Sequence, residues 1–504
     1  MTSPADSYRS LTERVQEISL LVSCAGLLDW DRETYMPAGG AEHRSAQLAL
    51  LAGMCHERFT DAVTGELIAA VESSEVVADP LSVEATNIRE LRRSYDRETR
   101  LPKSLVEELS RTTSLAYGHW VEARQASDFK RFEPWLDKVV KLKMQEADCI
   151  GHAGQRYDAL LDDHEPGATT QWVASVLEPL RAELAGLLER IQGSSRRPRG
   201  EILHRRYARD AQEAFATRVA GELGFDFQAG RLDPTAHPFC CDIGPGDTRL
   251  TTRYNENDFG DAFFSVIHET GHGLYDQGLP REHWGLPAGE PVSLGIHESQ
   301  SRLWENFVAR SRPFWRHYLP VLAEHFSQSL ADADLDAFVF AVNEVQPSLI
   351  RVDADEVTYN LHVIVRFEIE TALLSGQMAA GDVPAAWNEK YRRLLGITPP
   401  DDAHGCLQDV HWSHGGIGYF PTYTLGNLNA AQLFAAAREK LGDLDGLIAS
   451  GQFGPLLEFL RANIHRRGQQ YRAPELIQVV TGKPLSHQAL MDHLRTKYEE
   501  LYGL

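Results

Sequence analysis

Phe263-Phe-Ser-Val-Ile-His-Glu-Thr-Gly-His-Gly-Leu-Tyr275 is apolar enough to predict a buried helix, which we place over 261–277. His268 and His272 are one turn apart on the same face of that helix, so both imidazoles can bind one metal ion. Glu269 points about 100° away from His268, where its carboxylate can act as a general base on a water molecule. Because this pentapeptide arises by chance in roughly one chain in twenty, its context has to support the interpretation.

A catalytic zinc ion needs a third protein ligand, because such sites have three protein donors and one open position. Glu298 is our candidate, since the sequence from His297 onward predicts a second amphipathic helix on which Glu298 faces the first. Glu290 and Glu305 are rivals that spacing alone does not exclude. Two histidines and one glutamate suit Zn²⁺, although Co²⁺ or another divalent ion fits the same donors. The base-like Glu269 argues against a purely structural metal site.

Helical periodicity also dominates the rest of the chain, so the fold class is predicted to be mainly α. Residues 236–255 differ, because Pro, Gly and β-branched residues mixed with arginines predict a small β-sheet just before the metal helix. No repeat or long linker is visible, and residues 1–504 are therefore treated as a single unit. The predicted helices, besides those of the metal site, are 11–30, 42–57, 83–99, 105–126, 133–156, 170–192, 210–223, 321–344, 356–374 and 456–464.

The composition favours a folded protein and excludes several kinds of partner. Of the 504 residues, 43% are hydrophobic and 24% are charged, as in a globular chain with its own core. The net charge of −22 would repel phosphate backbones and anionic lipids, so we expect no nucleic acid and no membrane partner. Short apolar runs and no visible secretory signal predict a soluble, cytoplasmic protein. The six scattered cysteines predict no disulfide framework.

Further short motifs surround the metal helix. They are Trp-Asp-Arg-Glu-Thr-Tyr-Met-Pro at 30–37, His-Pro-Phe at 237–239, Asp-x-Arg-x-Thr at 247–251, His-Glu-Ser-Gln at 297–300, Ile-Arg-x-x-Ala-Asp at 350–355, Gly-x-x-Gln-Asp-x-His-Trp at 405–412 and Gly-Tyr-Phe-Pro-Thr-Tyr at 418–423. With these motifs the chain resembles, over nearly its whole length, the thermostable carboxypeptidase family typified by the Taq enzyme, peptidase family 32 of the metallopeptidases. Independent motifs in the family's order are more specific than any one of them.

The resemblance implies a large helical zincin of the neurolysin-like type, with a deep active-site groove and a homodimeric assembly. It also implies a zinc-dependent carboxypeptidase that removes single residues from the C-termini of peptides with broad side-chain tolerance. The metal ligands carried over from the family are His268, His272 and Glu298, and Glu269 is the general base and acid. Residues 1–504 then form one peptidase unit.

The remaining site residues have less specific patterns. Tyr423 and His411 are candidates to stabilise the oxyanion, although each can equally be a packing residue. A carboxypeptidase needs a fixed cation for the terminal carboxylate of its substrate, and Arg351 resembles the family's arginine for that task. Arg351 can instead form a structural ion pair with neighbouring aspartates, and Arg249 is the reserve candidate. Residues expected to shape the groove or support the site are His237, Asp247, Gln408 and Asp409.

Two other functions are compatible with the sequence. An endo-oligopeptidase on the same helical scaffold would have a similar metal site, and its indifference to a free C-terminal carboxylate would distinguish it. A non-catalytic, metal-containing peptide-binding protein is the second alternative. The intact Glu269 argues against it, because binding alone needs no general base.

Overall fold

The computed structural model describes residues 3–504, and helices account for most of them, which confirms the mainly α class. The helices are α1 (Pro4–Thr34), α2 (Ala41–Phe59), α3 (Ala62–Val71), α4 (Val83–Arg100), α5 (Lys103–Ala126), α6 (Phe129–Ile150), α7 (Arg156–His164), α8 (Thr170–Gly193), α9 (Arg209–Leu223), α10 (Phe259–Asp276), α11 (Leu294–Arg302), α12 (Arg312–His325), α13 (Leu335–Val342), α14 (Tyr359–Leu374), α15 (Val383–Leu395), α16 (Pro421–Leu441), α17 (Leu444–Ala449), α18 (Gly454–Asn463), α19 (Ala473–Thr481) and α20 (Gln488–Tyr502). A π-helical segment, Leu303–Ala309, directly continues α11. None of these helices is long and apolar enough to cross a membrane, as judged over residues 3–504.

The chain forms two compact units, each assembled from three separate segments. Unit 1 consists of Met1–Glu98, Arg199–Val342 and Leu433–Pro484, and unit 2 consists of Thr99–Pro198, Asn343–Gln432 and Leu485–Leu504. Unit 1 contains the sheet and the two helices of the expected metal site, α10 and α11. That residues 1–504 act as one peptidase unit stays a prediction.

A three-stranded sheet precedes the metal helix, as the sequence predicted. Its strands are β1 (Gly230–Pro234), β2 (Cys240–Gly244) and β3 (Asp247–Thr252), in the order β1-β3-β2. β3 pairs in parallel with β1 and antiparallel with β2. The predicted range of 236–255 missed β1, because Gly-Arg-Leu-Asp-Pro has no β-branched residue and is a strand through its pairing with β3.

The prediction of one helix over 321–344 was wrong. α12 ends at His325, and α13 begins at Leu335 after a turn. Asp334 causes the restart, because its Oδ1 accepts the backbone N–H of Ala337 at 2.8 Å, as a helix cap does. The apolar residues before and after the turn keep the three- and four-residue spacing of one helix. The break was therefore not visible in the sequence pattern. The predicted metal helix, 261–277, begins two residues earlier in the structure, at Phe259.

A buried aromatic cluster in unit 1 fixes α10. Phe259 and Phe263 on α10 stack with ring centroids 5.2 Å apart, and Trp315 of α12 lies 5.4 Å from Phe263. Phe338 of α13 completes the cluster, 4.6 Å from Trp315. Asp258 caps the helix by accepting the N–H of Asp261 at 3.1 Å. Rigid packing of this kind is what a metal ligand pair requires, because a shift of less than 1 Å changes the coordination geometry.

Candidate active site

α10 and α11 bring the three predicted metal ligands together. The ligand atoms of His268, His272 and Glu298 all lie within 4.8 Å of one another. The Oε2 atom of Glu298 is 3.6 Å from Nε2 of His268 and 3.4 Å from Nε2 of His272. Tetrahedral bonds of about 2.0–2.1 Å separate ligand atoms by about 3.3 Å, so the three donors fit a zinc-sized ion.

Gly271 explains how closely the two helices approach. A Cβ atom at Gly271 would lie 2.5 Å from the Cα of Ser301 and 2.6 Å from the carbonyl oxygen of Gln300. Real Cβ atoms do not come so close to a backbone, and glycine is therefore required at this position. The contact lies between the two histidines of α10 and just after Glu298 of α11, where the ligand atoms meet.

His268 is oriented from its outer side by Glu305, one of the two rivals for the third ligand. Nδ1 of His268 lies 2.9 Å from Oε2 of Glu305, which leaves Nε2 directed at the cluster. Glu305 sits on the π-helical segment and forms ion pairs with Arg302 at 3.3 Å and Arg310 at 3.1 Å. Although burial opposes ionisation, Arg302 and the neighbouring cations lower the pKa of Glu305 to about 2.

His272 is oriented by a second and longer chain of contacts. Nδ1 of His272 lies 2.5 Å from Nδ1 of His297. On the other side of the His297 ring, Nε2 lies 2.9 Å from Oδ1 of Asp276. With protons on Nδ1 of His272 and on Nε2 of His297, each contact joins a donor to an acceptor. Burial lowers the pKa of His272 to about 4, so its ring is neutral, which is the form that binds a metal.

The carboxylates of Glu298 and Glu269 have different surroundings, although both are buried. Oε1 of Glu298 accepts from Nε of Arg302 at 2.7 Å. Although burial opposes ionisation, this guanidinium holds the pKa of Glu298 well below its usual range. Burial raises the pKa of Glu269 to about 7, and the negative charge of Glu298 adds to the shift. Glu290, the other rival ligand, is outside the cluster, and burial beside Asp242 raises its pKa to about 7.

His237 and Arg249 belong to unit 1 but lie outside the ligand cluster. His237 is exposed in the turn between β1 and β2. Arg249 of β3 forms hydrogen bonds with Asp247 at 2.8 and 2.7 Å, and its guanidinium lies 4.2 Å from the ring centroid of Trp30. Arg249 is thus held between a carboxylate and an aromatic face, which favours a fixed orientation.

Arg351 and Gln408 lie together in a buried cluster of unit 2. Nε and Nη2 of Arg351 donate to Oδ1 of Asp409 at 3.1 and 3.0 Å, and Nη1 donates to the Tyr359 hydroxyl at 2.9 Å. Arg366 binds Oδ2 of the same carboxylate at 2.8 Å. Oε1 of Gln408 accepts from the backbone N–H of Arg351 at 2.9 Å and from Nη2 of Arg366 at 2.7 Å. The ion pair expected with residues next to Arg351 is therefore made with Asp409.

His411 and Tyr423 are neighbours of this arginine cluster. The Tyr423 hydroxyl is 3.4 Å from Nε2 of His411, and the guanidinium of Arg351 lies 4.9 Å from the Tyr423 ring centroid. Burial lowers the pKa of His411 to about 4, so its ring is neutral. Tyr423 lies in the first turn of α16, which begins at Pro421.

The residues that orient the predicted metal ligands were not predicted from the sequence. Asp276 follows His272 by one helical turn on α10, and Arg302 follows Glu298 by one turn on α11. This i, i+4 spacing was a signal available in the sequence, because such residues share a helix face. The contact of Glu305 with His268 joins two separate helices, and no local spacing predicts it.

Comparisons with known proteins agree with this site. The profile of the carboxypeptidase Taq (M32) metallopeptidase family matches residues 10–498. Thermostable carboxypeptidase 1 of Thermus thermophilus is 48% identical over 510 residues, covering 99% of this chain and 100% of the relative. Carboxypeptidase 1 of Bacillus subtilis is 37% identical, covering 97% of each chain. A crystal structure of the M32 carboxypeptidase from Deinococcus radiodurans R1 shares 42% identity with a TM-score of 0.96, covering 99% and 100%.

These matches confirm the resemblance seen in the motifs and extend it to the whole fold. The family is one of metallopeptidases, which implies a divalent metal ion. The donors of His268, His272 and Glu298 fit such an ion in type and spacing. The chain belongs to the carboxypeptidase Taq (M32) metallopeptidase family.

Proposed function

We propose that this metallocarboxypeptidase hydrolyses the C-terminal peptide bond of peptides with a Zn²⁺ ion held by His268, His272 and Glu298. The observation that carries the proposal is the convergence of these three ligand atoms within 4.8 Å. Family membership and carboxypeptidase relatives at 48% and 37% identity support the reaction class. Two imidazoles and one carboxylate suit Zn²⁺, and Co²⁺ or another divalent ion also fits these donors.

Glu269 is proposed as the general base and acid. When bound, the ion would polarise the scissile carbonyl and make a water molecule more acidic. Glu269 follows the ligand His268 directly and is buried, with 7% of its surface exposed. From there its carboxylate takes the proton of the attacking water and returns it to the leaving amine.

Arg351 is proposed to bind the terminal carboxylate of the substrate, with Arg249 as the reserve candidate. Three N–H groups of Arg351 contact Asp409 and Tyr359, and a guanidinium has five. By this count two N–H groups of Arg351 are left, and we propose that they donate to the substrate carboxylate. An ion pair with Asp409 also holds the arginine in one orientation, which favours bidentate recognition.

Four further side chains are proposed to act on the substrate. Tyr423 and His411 would stabilise the negative charge that develops on the scissile carbonyl oxygen, and a neutral His411 is compatible with donation of a hydrogen bond. His237 and Gln408 would shape the deep groove in which the peptide lies. Broad side-chain tolerance is part of the same proposal, since it rests on the family resemblance.

The experiment that tests the proposal is mass analysis of a peptide library after incubation with and without a chelator. We expect ladders that shorten one residue at a time from the C-terminus, and these ladders should vanish with the chelator and return with added Zn²⁺. Peptides with an amidated C-terminus serve as the matched control. Equal cleavage of amidated and free peptides would instead indicate an endo-oligopeptidase.

Glu269→Gln distinguishes an enzyme from a non-catalytic peptide-binding protein. Because general-base catalysis contributes about 10²–10⁴-fold, we expect at least a hundredfold loss in kcat. The Zn²⁺ content should stay that of the parent protein, because Glu269 is outside the ligand cluster. A variant with unchanged turnover would refute the role of Glu269.

A homodimer in the cytoplasm, acting on peptides, completes the proposed function. The outer face of α1 and α2 supports the dimer, because α2 has no buried residue while Leu20 and Leu50 are 57% and 66% exposed. Leu50→Glu should convert the dimer to a monomer in sedimentation velocity. Val479→Glu, at a position on α19 that is 57% exposed, is the control and should leave the dimer intact.

A further inference from the structure

A pocket in unit 1 has no part in the proposed reaction. Its volume is about 400 Å³, and it is lined by the first turns of α4 with Leu81 before them, the segment 278–283 after α10, Ala288, and residues 466, 467 and 470 after α18. The volume is within the range of small-molecule sites. The ligand cluster of α10 and α11 contributes no residue to it.

The pocket is basic on a strongly acidic chain. Its lining includes three arginines, Arg281, Arg466 and Arg467, and only one carboxylate, that of Glu282. Arg466 forms an ion pair with Glu458 at 2.7 Å. Within residues 3–504, Arg281 and Arg467 have no carboxylate partner within salt-bridge distance. Two unneutralised guanidinium groups facing one pocket, in a chain with a net charge of −22, indicate an anionic ligand.

The start of α4 adds a second and independent feature. Val83 and Thr86, in the first turns of this 18-residue helix, line the pocket. Ser82 accepts the N–H groups of Ala85 and Thr86 at 3.1 and 3.0 Å, so the N–H groups of Val83 and Glu84 are the ones at this helix N-terminus that would attract an anion. Thr86 is only 1% exposed, and its hydroxyl has no hydrogen-bond partner within the described chain. Because buried hydroxyls are nearly always bonded, this one lacks an acceptor that a bound oxyanion would supply.

The shape and the walls of the pocket narrow the class of ligand. Leu81, Leu279 and Ala288 give it apolar walls, and an inorganic anion would fill only a small part of its volume. A carboxylate has two oxygens, whereas a phosphate monoester has three and a charge near −2, which better matches two guanidinium groups, a helix N-terminus and a hydroxyl. We propose that this pocket binds a phosphate monoester with a small apolar body.

Titration calorimetry on the full-length chain with phenyl phosphate tests the proposal. We expect phenyl phosphate to bind more tightly than inorganic phosphate and benzoate, which lack the apolar body and the phosphoryl oxygens respectively. Arg281→Gln combined with Arg467→Gln should weaken binding about tenfold or more, because two charge-assisted contacts are lost. Arg316→Gln is the matched control, since Arg316 is exposed on α12 and has no carboxylate partner in residues 3–504.

Thr86→Val separates a binding role from a structural one. It keeps the shape of the side chain and removes the unbonded hydroxyl, so the unliganded protein should unfold at the same temperature or a higher one. Affinity for phenyl phosphate should nevertheless fall severalfold. The proposal is overturned if either the double arginine variant or Thr86→Val binds phenyl phosphate like the parent. Equal affinity for benzoate or inorganic phosphate would also overturn it, as would binding that depends only on the metal centre.

Discussion

His268 and His272, the two histidines of the proposed metal site, have different neighbours at their Nδ1 atoms. Nδ1 of His268 contacts Glu305, whose charge two arginines balance. Nδ1 of His272 contacts His297, which is bound in turn to Asp276. Such outer contacts hold the ring in one orientation and one tautomer, and they raise the basicity of the ligand nitrogen. The carboxylate of Asp276 would therefore act on a bound ion through two imidazoles in series.

Glu298→Gln and Glu290→Gln together test the third ligand. Loss of a direct ligand should exceed the 10–100-fold cost that is typical of outer contacts, so we expect Glu298→Gln to weaken Zn²⁺ binding more than about 100-fold. Glu290→Gln is the matched control, because Glu290 is a half-buried carboxyl of unit 1 outside the cluster. A competition titration with a chromogenic chelator measures both. Equal affinities in the two variants would contradict the ligand assignment.

Asp276→Asn tests the chain of contacts behind His272. An amide keeps the size of the side chain and removes its charge, and we expect Zn²⁺ affinity to fall about 10–100-fold. Asp261→Asn is the control, since Asp261 lies on the same helix and forms an ion pair with Arg253 instead. Zn²⁺ affinity of Asp276→Asn within twofold of that of the Asp261 variant would show that His297 needs no carboxylate to orient His272.

Among the elements, α10 and α11 matter most, because their close approach brings ligands from two helices to one point. Periodicity predicted both helices but could not predict their distance, which depends on the absence of a side chain at Gly271. The π-helical segment after α11 is a second feature that periodicity could not predict. It carries Glu305, and π-helical turns often occur at functional sites.

Gly271→Ala should push α10 and α11 apart, since its Cβ would overlap the backbone of residues 300 and 301. We expect a loss of about 1–3 kcal/mol in the free energy of unfolding, as for an overpacked core, together with weaker Zn²⁺ binding. Gly186→Ala on α8, where nothing lies within 4 Å, should stabilise the protein by about 0.5–1 kcal/mol. Urea denaturation measures both changes. Normal metal affinity in Gly271→Ala would refute the importance of this contact.

For the molecule as a whole, the partly buried carboxyl of Glu290 couples stability to pH. Burial beside Asp242 and Asp276 raises the pKa of Glu290 from 4.5 to about 7. A raised folded-state pKa means that the neutral acid is favoured in the folded protein. Its contribution to stability is therefore complete below pH 4.5 and is lost as the pH rises to about 7.

Glu290→Gln should remove this dependence. Relative to the parent, the variant should gain about 3 kcal/mol in the free energy of unfolding as the pH rises through that window, since each pKa unit is worth about 1.4 kcal/mol. Urea denaturation across the window measures the difference. Glu458→Gln, an exposed carboxyl paired with Arg466, is the control and should change little. A pH-independent difference between Glu290→Gln and the parent would contradict the linkage.

The sequence by itself determined the mainly α class, the helix with His268 and His272 on one face, and the family. Each rests on local spacing or on the order of motifs, which chain geometry converts directly into structure. The break between α12 and α13 and the strand β1 were not predictable in this way. The break depends on Asp334, which caps α13 within a stretch where apolar residues keep a helical spacing. The strand β1 exists because it pairs with β3.

Only the tertiary structure decided how the candidate side chains are grouped. Glu298 and Glu305 are seven residues apart, so an ideal helix would place both on one face, and spacing could not rank them. In the folded chain, Glu298 faces the Nε2 atoms while Glu305 contacts Nδ1 of His268. Arg351 likewise pairs with Asp409, which is distant in sequence. The reason is physical: local periodicity specifies the face of an element, whereas the distance between faces depends on packing across the whole core.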